Sequence, residues 1–222
     1  MGSGGIRAIR ASSPDYPPFI FFSVMKKLLF SLGLLATAAT AAHAQDGPKF
    51  GIRAGISTNT LSGDNDKFGN KTSDYTYALG GLGGVTANFA LSDLISIQPE
   101  LLYNLKGTQI NNSKDRFDLH YIDLPILVRV NADGPYFEAG PQVGYLISAK
   151  RGGLNKTRVE TKDLQGLSLG YVAGLGYKLT SGLSLGVRFN GGISSVGKDN
   201  GEYDQQRNQS FNFVVGYEFG GK

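Results

Sequence analysis

The 222-residue sequence has no cysteine, no tryptophan and only two histidines. Without cysteine there is no disulfide framework, no thiolate metal site and no Cys nucleophile. A lipoprotein anchor is excluded too, because it needs a cysteine at the mature N-terminus. Beyond residue 44 no apolar run approaches the roughly 20 residues that a spanning helix requires, so membrane insertion of that part can only be by strands. Net charge is also scarce. Residues 1–44 carry Arg7, Arg10, Lys26, Lys27 and Asp15, so of 22 basic and 18 acidic residues in the chain, 18 and 17 remain after them. A chain so close to neutral gives no argument for a nucleic-acid partner.

Glycine is abundant instead, at 32 residues. No three-residue period accompanies it, which excludes a collagen-like chain. The glycines sit inside alternating apolar runs, as expected where strands pack closely or bend.

Residues 25–44 read MKKLLFSLGLLATAATAAHA. A charged start (Met25, Lys26, Lys27), an apolar stretch (Leu28 to Ala42) and a small-x-small site (Ala42, His43, Ala44) make a secretory signal peptide, with cleavage expected before Gln45. The apolar stretch is short for a spanning helix. Residues 1–24, with Pro14, Pro17 and Pro18, are expected to be a spurious N-terminal extension upstream of the true start at Met25. Residues 45–222 then form one domain.

In that domain the hydrophobic period is two. Phe50, Ile52, Ala54 and Ile56 alternate with Gly51, Arg53, Gly55 and Ser57. Similar runs cover 77–89, 95–106, 117–130, 135–148, 167–179, 183–189 and 211–219. They predict an all-β fold of eight strands. A soluble sandwich or lipocalin-like barrel also alternates, but three features favour a membrane barrel. Most runs have ten to fourteen residues, where soluble strands have about five or six. The non-apolar face carries charges of both signs in mid-strand, namely Arg53, Glu100, Asp123, Arg129, Glu138, Lys178, Arg188 and Glu218. Connections alternate between long (58–76, 107–116, 149–165, 191–209) and short (90–94, 131–134, 180–182), as in outer-membrane barrels with external loops and periplasmic turns. The expectation is an eight-stranded antiparallel transmembrane β-barrel, an up-and-down meander with both termini periplasmic. The eight charges should form a structural network inside it, and Arg129 is the expected hub between carboxylates on its two neighbouring strands. Pro99, Pro125 and Pro141 fall within strands, where local bulges are expected. Leu102 and Leu127 fall on the polar face against the pattern.

Several segments are similar to the PorT-like outer-membrane β-barrel family of Bacteroidetes-type bacteria: SIQPELLYNLKG (96–107), YIDLPILVRV (121–130), YFEAGPQVGYLISAK (136–150), SLGYVAGLGYKL (168–179) and FNFVVGYEF (211–219). The most specific residues are Gln98-Pro99-Glu100 with Tyr103 and Gly107, then Leu124-Pro125 and Gly140-Pro141. The resemblance spans 48–219 and implies the fold and a Gram-negative outer-membrane location. The name-giving branch serves a protein-secretion and gliding apparatus, and the resemblance carries no catalytic residues.

Chemistry-bearing motifs are sparse. A hydrolytic site would need His with Ser and an acid. His43 leaves with the signal, and His120, between Asp118 and Asp123, is expected at the outward rim of its strand. Asp64, Asn65 and Asp66 lack the spacing of a calcium loop. Gly80-Gly81-Leu82-Gly83-Gly84 precedes no helix and makes no phosphate cradle. Lys150, Arg151, Lys156, Arg158 and Lys162 make one long loop basic, suited to lipopolysaccharide phosphates or an acidic partner. The leading expectation is a non-enzymatic integral outer-membrane protein with a structural or interaction role through its external loops, without cofactor or metal. A small-solute, porin-like pore ranks second, because eight strands leave an interior that side chains fill. A lipid-modifying enzyme ranks third. Expected partners are outer-membrane lipid and lipopolysaccharide, the barrel-assembly machinery, and an unidentified surface or secretion-apparatus protein.

Overall fold

The structure, a computed structural model, describes residues 47–62, 75–110, 116–152, 157–158, 166–195 and 207–220. Residues 1–24 and 25–44, expected to be a spurious extension and a signal peptide, lie outside the described residues, as do Asp64, Asn65 and Asp66.

Alternation along each run puts every second side chain on one face, and the runs pair with their sequence neighbours. The strands are β1 (Lys49–Ser62), β2 (Tyr75–Ala90), β3 (Ile95–Ile110), β4 (Arg116–Asn131), β5 (Pro135–Gly152), the two-residue β6 (Thr157–Arg158), β7 (Leu167–Lys178), β8 (Leu183–Gly192) and β9 (Arg207–Glu218). All pairings are antiparallel. β1 joins both β2 and β9, β4 joins β5, and β6 only extends the end of β5. The eight long strands therefore close into an up-and-down barrel with no free edge. They run from 10 to 18 residues, enough to cross a bilayer at a tilt.

Several strands reach further than the periodicity suggested. β3 continues to Ile110 and β4 starts at Arg116, and β5 extends to Gly152 into the segment expected to be loop. The three short connections lie at one end, with the start of β1 and the end of β9. In one of them Asp133 and Gly134 both have positive φ, 55° and 117°, the pairing that a tight hairpin turn requires. Ala132 N–H donates to the Pro135 carbonyl at 2.8 Å.

The bulges expected at the prolines are absent. At Pro99, Pro125 and Pro141 the register is unbroken. Pairing lapses at Glu100 and Leu101 on β3, and at Ile126 and Leu127 on β4, then resumes without a shift. Proline withholds one donor but keeps extended geometry, so the ladder loses a bond rather than a residue. The register shifts lie elsewhere, between Tyr77 and Gly81 and between His120 and Tyr121.

Outward residues include Phe50, Ile52, Ile56, Leu79, Leu101, Phe137, Leu175, Val187 and Phe213, all exposed. Inward residues are polar, charged or glycine, interspersed with buried apolar and aromatic side chains such as Leu119, Tyr121, Tyr136 and Leu146. Leu82, Leu102 and Val214 pack as a cluster, with Leu127 and Val172 also buried. Leu102 and Leu127, which broke the alternation, thus belong to the lumen filling.

Candidate functional site in the barrel interior

Arg53, Glu100, Asp123, Arg129, Glu138, Arg188 and Glu218 are all buried. Five of them meet in one cluster. Arg188 Nη1 and Nη2 donate to Glu100 Oε2 and Oε1 at 2.8 and 2.9 Å, and its Nε donates to Glu138 Oε1 at 2.5 Å. Arg53 Nη1 donates to Glu100 Oε1 at 2.7 Å and lies 3.7 Å from Glu138 Oε2. Arg129 Nη2 donates to Glu138 Oε2 at 2.9 Å, and its guanidinium stacks 4.1 Å from the Tyr136 ring centre. Gln98 Nε2 completes the shell of Glu100 at 2.5 Å.

The hub is Arg188, not Arg129. Around the barrel β8 stands four strands from β3, so Arg188 and Glu100 come from opposite walls. Arg129 reaches only the carboxylate on its own neighbour, β5. Sequence adjacency favours neighbouring strands, whereas a narrow closed barrel brings opposite walls within one side chain's reach.

The other charges stand apart. Lys178 Nζ donates to Glu218 Oε1 at 2.5 Å near the turn end. Asp123 pairs with Lys106, Nζ to Oδ2 at 2.8 Å, with Asn104 Nδ2 on the same oxygen at 3.0 Å. Lys106 also lies 4.7 Å from the Tyr121 ring centre. Lys106 was not among the eight network charges. Alternation does place it on the face of Glu100, and its nearness to an expected loop hid it.

Room for the cluster comes from glycine. The inner face of β7 reads Ser168, Gly170, Val172, Gly174 and Gly176 before Lys178. A Cβ at Gly174 would stand 2.9 Å from Arg188 Cγ and 3.3 Å from Glu138 Oε1. The turn end of the lumen opens into a vestibule of about 640 Å³ lined by Asn88, Ser96, Asn131, Lys178 and Glu218. Leu82, Leu102 and Val214 pack as an apolar group beside the cluster.

His120 lies on the outward face beside Ile122, and its Nδ1 is 2.6 Å from Tyr103 Oη. Among the described residues there is no group of three or more metal-ligating side chains. No described helix is long and apolar enough to cross a membrane.

The model of the outer membrane protein beta-barrel domain matches residues 43–197. This chain belongs to that family. It is accordingly a small outer-membrane barrel protein, and its exposed apolar belt faces lipid. The matching model is that of the outer-membrane barrel domain, not one specific to the PorT-like proteins that the sequence motifs resemble. No curated protein matches the chain. Among solved structures, Neisserial surface protein A is similar at 17% identity and TM-score 0.47, covering 78% of this chain and 100% of that one. The Ail attachment invasion locus protein of Yersinia pestis, in complex with the heparin analogue sucrose octasulfate, is similar at 13% identity and TM-score 0.45, covering 78% and 99%. OprG from Pseudomonas aeruginosa is similar at 13% identity and TM-score 0.43, covering 77% and 95%.

Proposed function

We propose that this outer-membrane barrel protein is non-enzymatic, that its lumen is a closed plug, and that it works by presenting its external loops to a partner. One observation carries the reading: Arg188 and Glu100 join opposite walls through two hydrogen bonds at 2.8 and 2.9 Å. Charges held in such a network are costly to separate, because each would lose its partner without regaining full hydration. A conducting pore would need a continuous water path past them. Within the family, Gln98-Pro99-Glu100 and Gly140-Pro141 favour the PorT-like branch. Maturation before Gln45 and delivery by the barrel-assembly machinery fit this reading. Lipopolysaccharide and a surface or secretion-apparatus protein are the proposed loop partners.

Planar-bilayer recording of the purified full-length mature protein tests the plug. The expected result is no stepwise conductance above that of protein-free bilayers. Reproducible ohmic steps would overturn it and favour the pore. Crosslinking and pull-down of the intact barrel in detergent would identify the loop partner.

A further inference from the structure

The central cluster is not balanced. It holds three guanidiniums and two carboxylates, Arg53, Arg129 and Arg188 against Glu100 and Glu138. The other described lumen ion pairs match one to one, Lys106 with Asp123 and Lys178 with Glu218. One positive charge is therefore left over, and it is localised. Arg188 uses Nε, Nη1 and Nη2 on the two carboxylates. Arg53 and Arg129 each retain a buried Nε without a hydrogen-bond partner. These two guanidiniums converge on one atom, Glu138 Oε2, at 3.7 and 2.9 Å. An excess buried cation with idle donors is unfavourable unless a counter-charge accompanies it.

We propose that the plug binds one small monovalent inorganic anion of the halide class, held by the idle donors of Arg53 and Arg129. Entry is from the turn end. Ser96, the register partner of Arg129, and Asn131, two residues beyond it, both line the vestibule. On the opposite side Leu82 and Leu102 stand two residues beyond Gly84 and Glu100. The vestibule supplies amide and hydroxyl groups suited to a partly hydrated anion, its carboxylates Asp93, Asp133 and Glu218 stand with Lys49 and Lys178 in the same lining, and the cluster supplies the positive charge. The inference does not depend on whether the lumen conducts.

Urea unfolding of the mature protein in zwitterionic lipid vesicles, in chloride against gluconate at equal ionic strength, tests it. Gluconate is too large to follow chloride into the cluster. Chloride should stabilise the folded barrel, approaching a tenfold rise in the folding equilibrium constant per tenfold rise in chloride above the dissociation constant. Arg53→Gln and Arg129→Gln restore charge balance and should remove the difference between the two salts. In case either variant fails to fold, Gly216→Asp places a fixed carboxylate. A Cβ at 216 lies 3.5 Å from Arg53 Nε, 3.6 Å from the Ile52 carbonyl oxygen and 2.7 Å from the Ser184 hydroxyl, which must rotate to make room. That variant should fold and be indifferent to chloride. Bromide-soaked crystals should give an anomalous peak beside Arg53 and Arg129. Identical unfolding of the unmodified protein in both salts would overturn the proposal, leaving water as the partner of the idle donors. A chloride effect that survives in Gly216→Asp would overturn it equally.

Discussion

Arg188 on β8 and Glu100 on β3 come from opposite walls and meet in a two-pronged ion pair, with nitrogen–oxygen distances of 2.8 and 2.9 Å. Arg188 also holds Glu138, so its loss would take three hydrogen bonds from two buried carboxylates, leaving Glu100 to Arg53 and Gln98 and Glu138 to Arg129. Arg188→Ala is expected to destabilise the barrel by about 3–5 kcal/mol, the usual cost of breaking a buried pair. Arg129→Ala should cost less, because Glu138 keeps Arg188. Adding Glu138→Gln to Arg129→Ala should cost less than the sum of the two single changes. Urea unfolding in lipid vesicles measures each, and strict additivity would mean that the cluster is energetically uncoupled.

The second ion pair should behave as an independent unit. Lys106→Met leaves Asp123 Oδ2 with the Asn104 amide as its hydrogen-bond donor. A loss of about 3 kcal/mol is expected, with partial recovery in Lys106→Met/Asp123→Asn. Combined with Arg188→Ala, the effect should add, since the two clusters share no residue.

The lipid face and the lumen face should both reject arginine on β8, for different reasons. Val187 is 48% exposed on the apolar belt, and a midplane Arg there costs roughly 2–4 kcal/mol. Gly186 faces inward, but a Cβ there already stands 2.7 Å from Tyr136 Oη and 3.1 Å from the Leu175 carbonyl. Gly186→Arg should therefore also impair assembly in a heat-modifiability gel, whereas Val187→Leu should assemble normally.

Gly140 should not tolerate a methyl group. A Cβ there would overlap the carbonyl oxygen of Ile126 on β4. Because that obstacle is backbone, β4 and β5 would have to separate. Gly140→Ala is expected to cost on the order of 1–3 kcal/mol, as overpacking does. Gly83→Ala, where the nearest atom is 3.8 Å away, should be nearly neutral in the same unfolding assay.

His120 tests the enzymatic reading. Its register partner on β5 is Ser148, so histidine and serine stand on adjacent strands, although Nδ1 lies against Tyr103 Oη. His120→Ala should leave the lipid composition of expressing cells unchanged. Mass spectrometry of extracted lipid A and phospholipids checks this, and a missing acyl chain in wild type alone would make the protein an enzyme. Tyr103→Phe should cost only about 0.5–1.5 kcal/mol, the worth of one hydrogen bond.

The sequence by itself determined the strands, their faces and the closed antiparallel order. The reason is local: alternation fixes which way each side chain points, and short turns such as Asp133-Gly134 leave neighbours no choice but to pair. It also placed Arg53, Glu100, Arg129, Glu138 and Arg188 on one face. Which charge meets which was decided only by closure. Partner choice depends on barrel diameter, and on glycines such as Gly174 that clear space for Arg188, so the hub moved from Arg129 to Arg188. Lys106 reached Asp123 diagonally, since the register sets Leu119 opposite Lys106 and Leu102 opposite Asp123, and alternation fixes a face but not how far a long side chain reaches along it. Leu102 and Leu127 looked like errors along their strands. In the closed lumen they are filling, because a narrow barrel has a core of its own whose packing no single strand encodes.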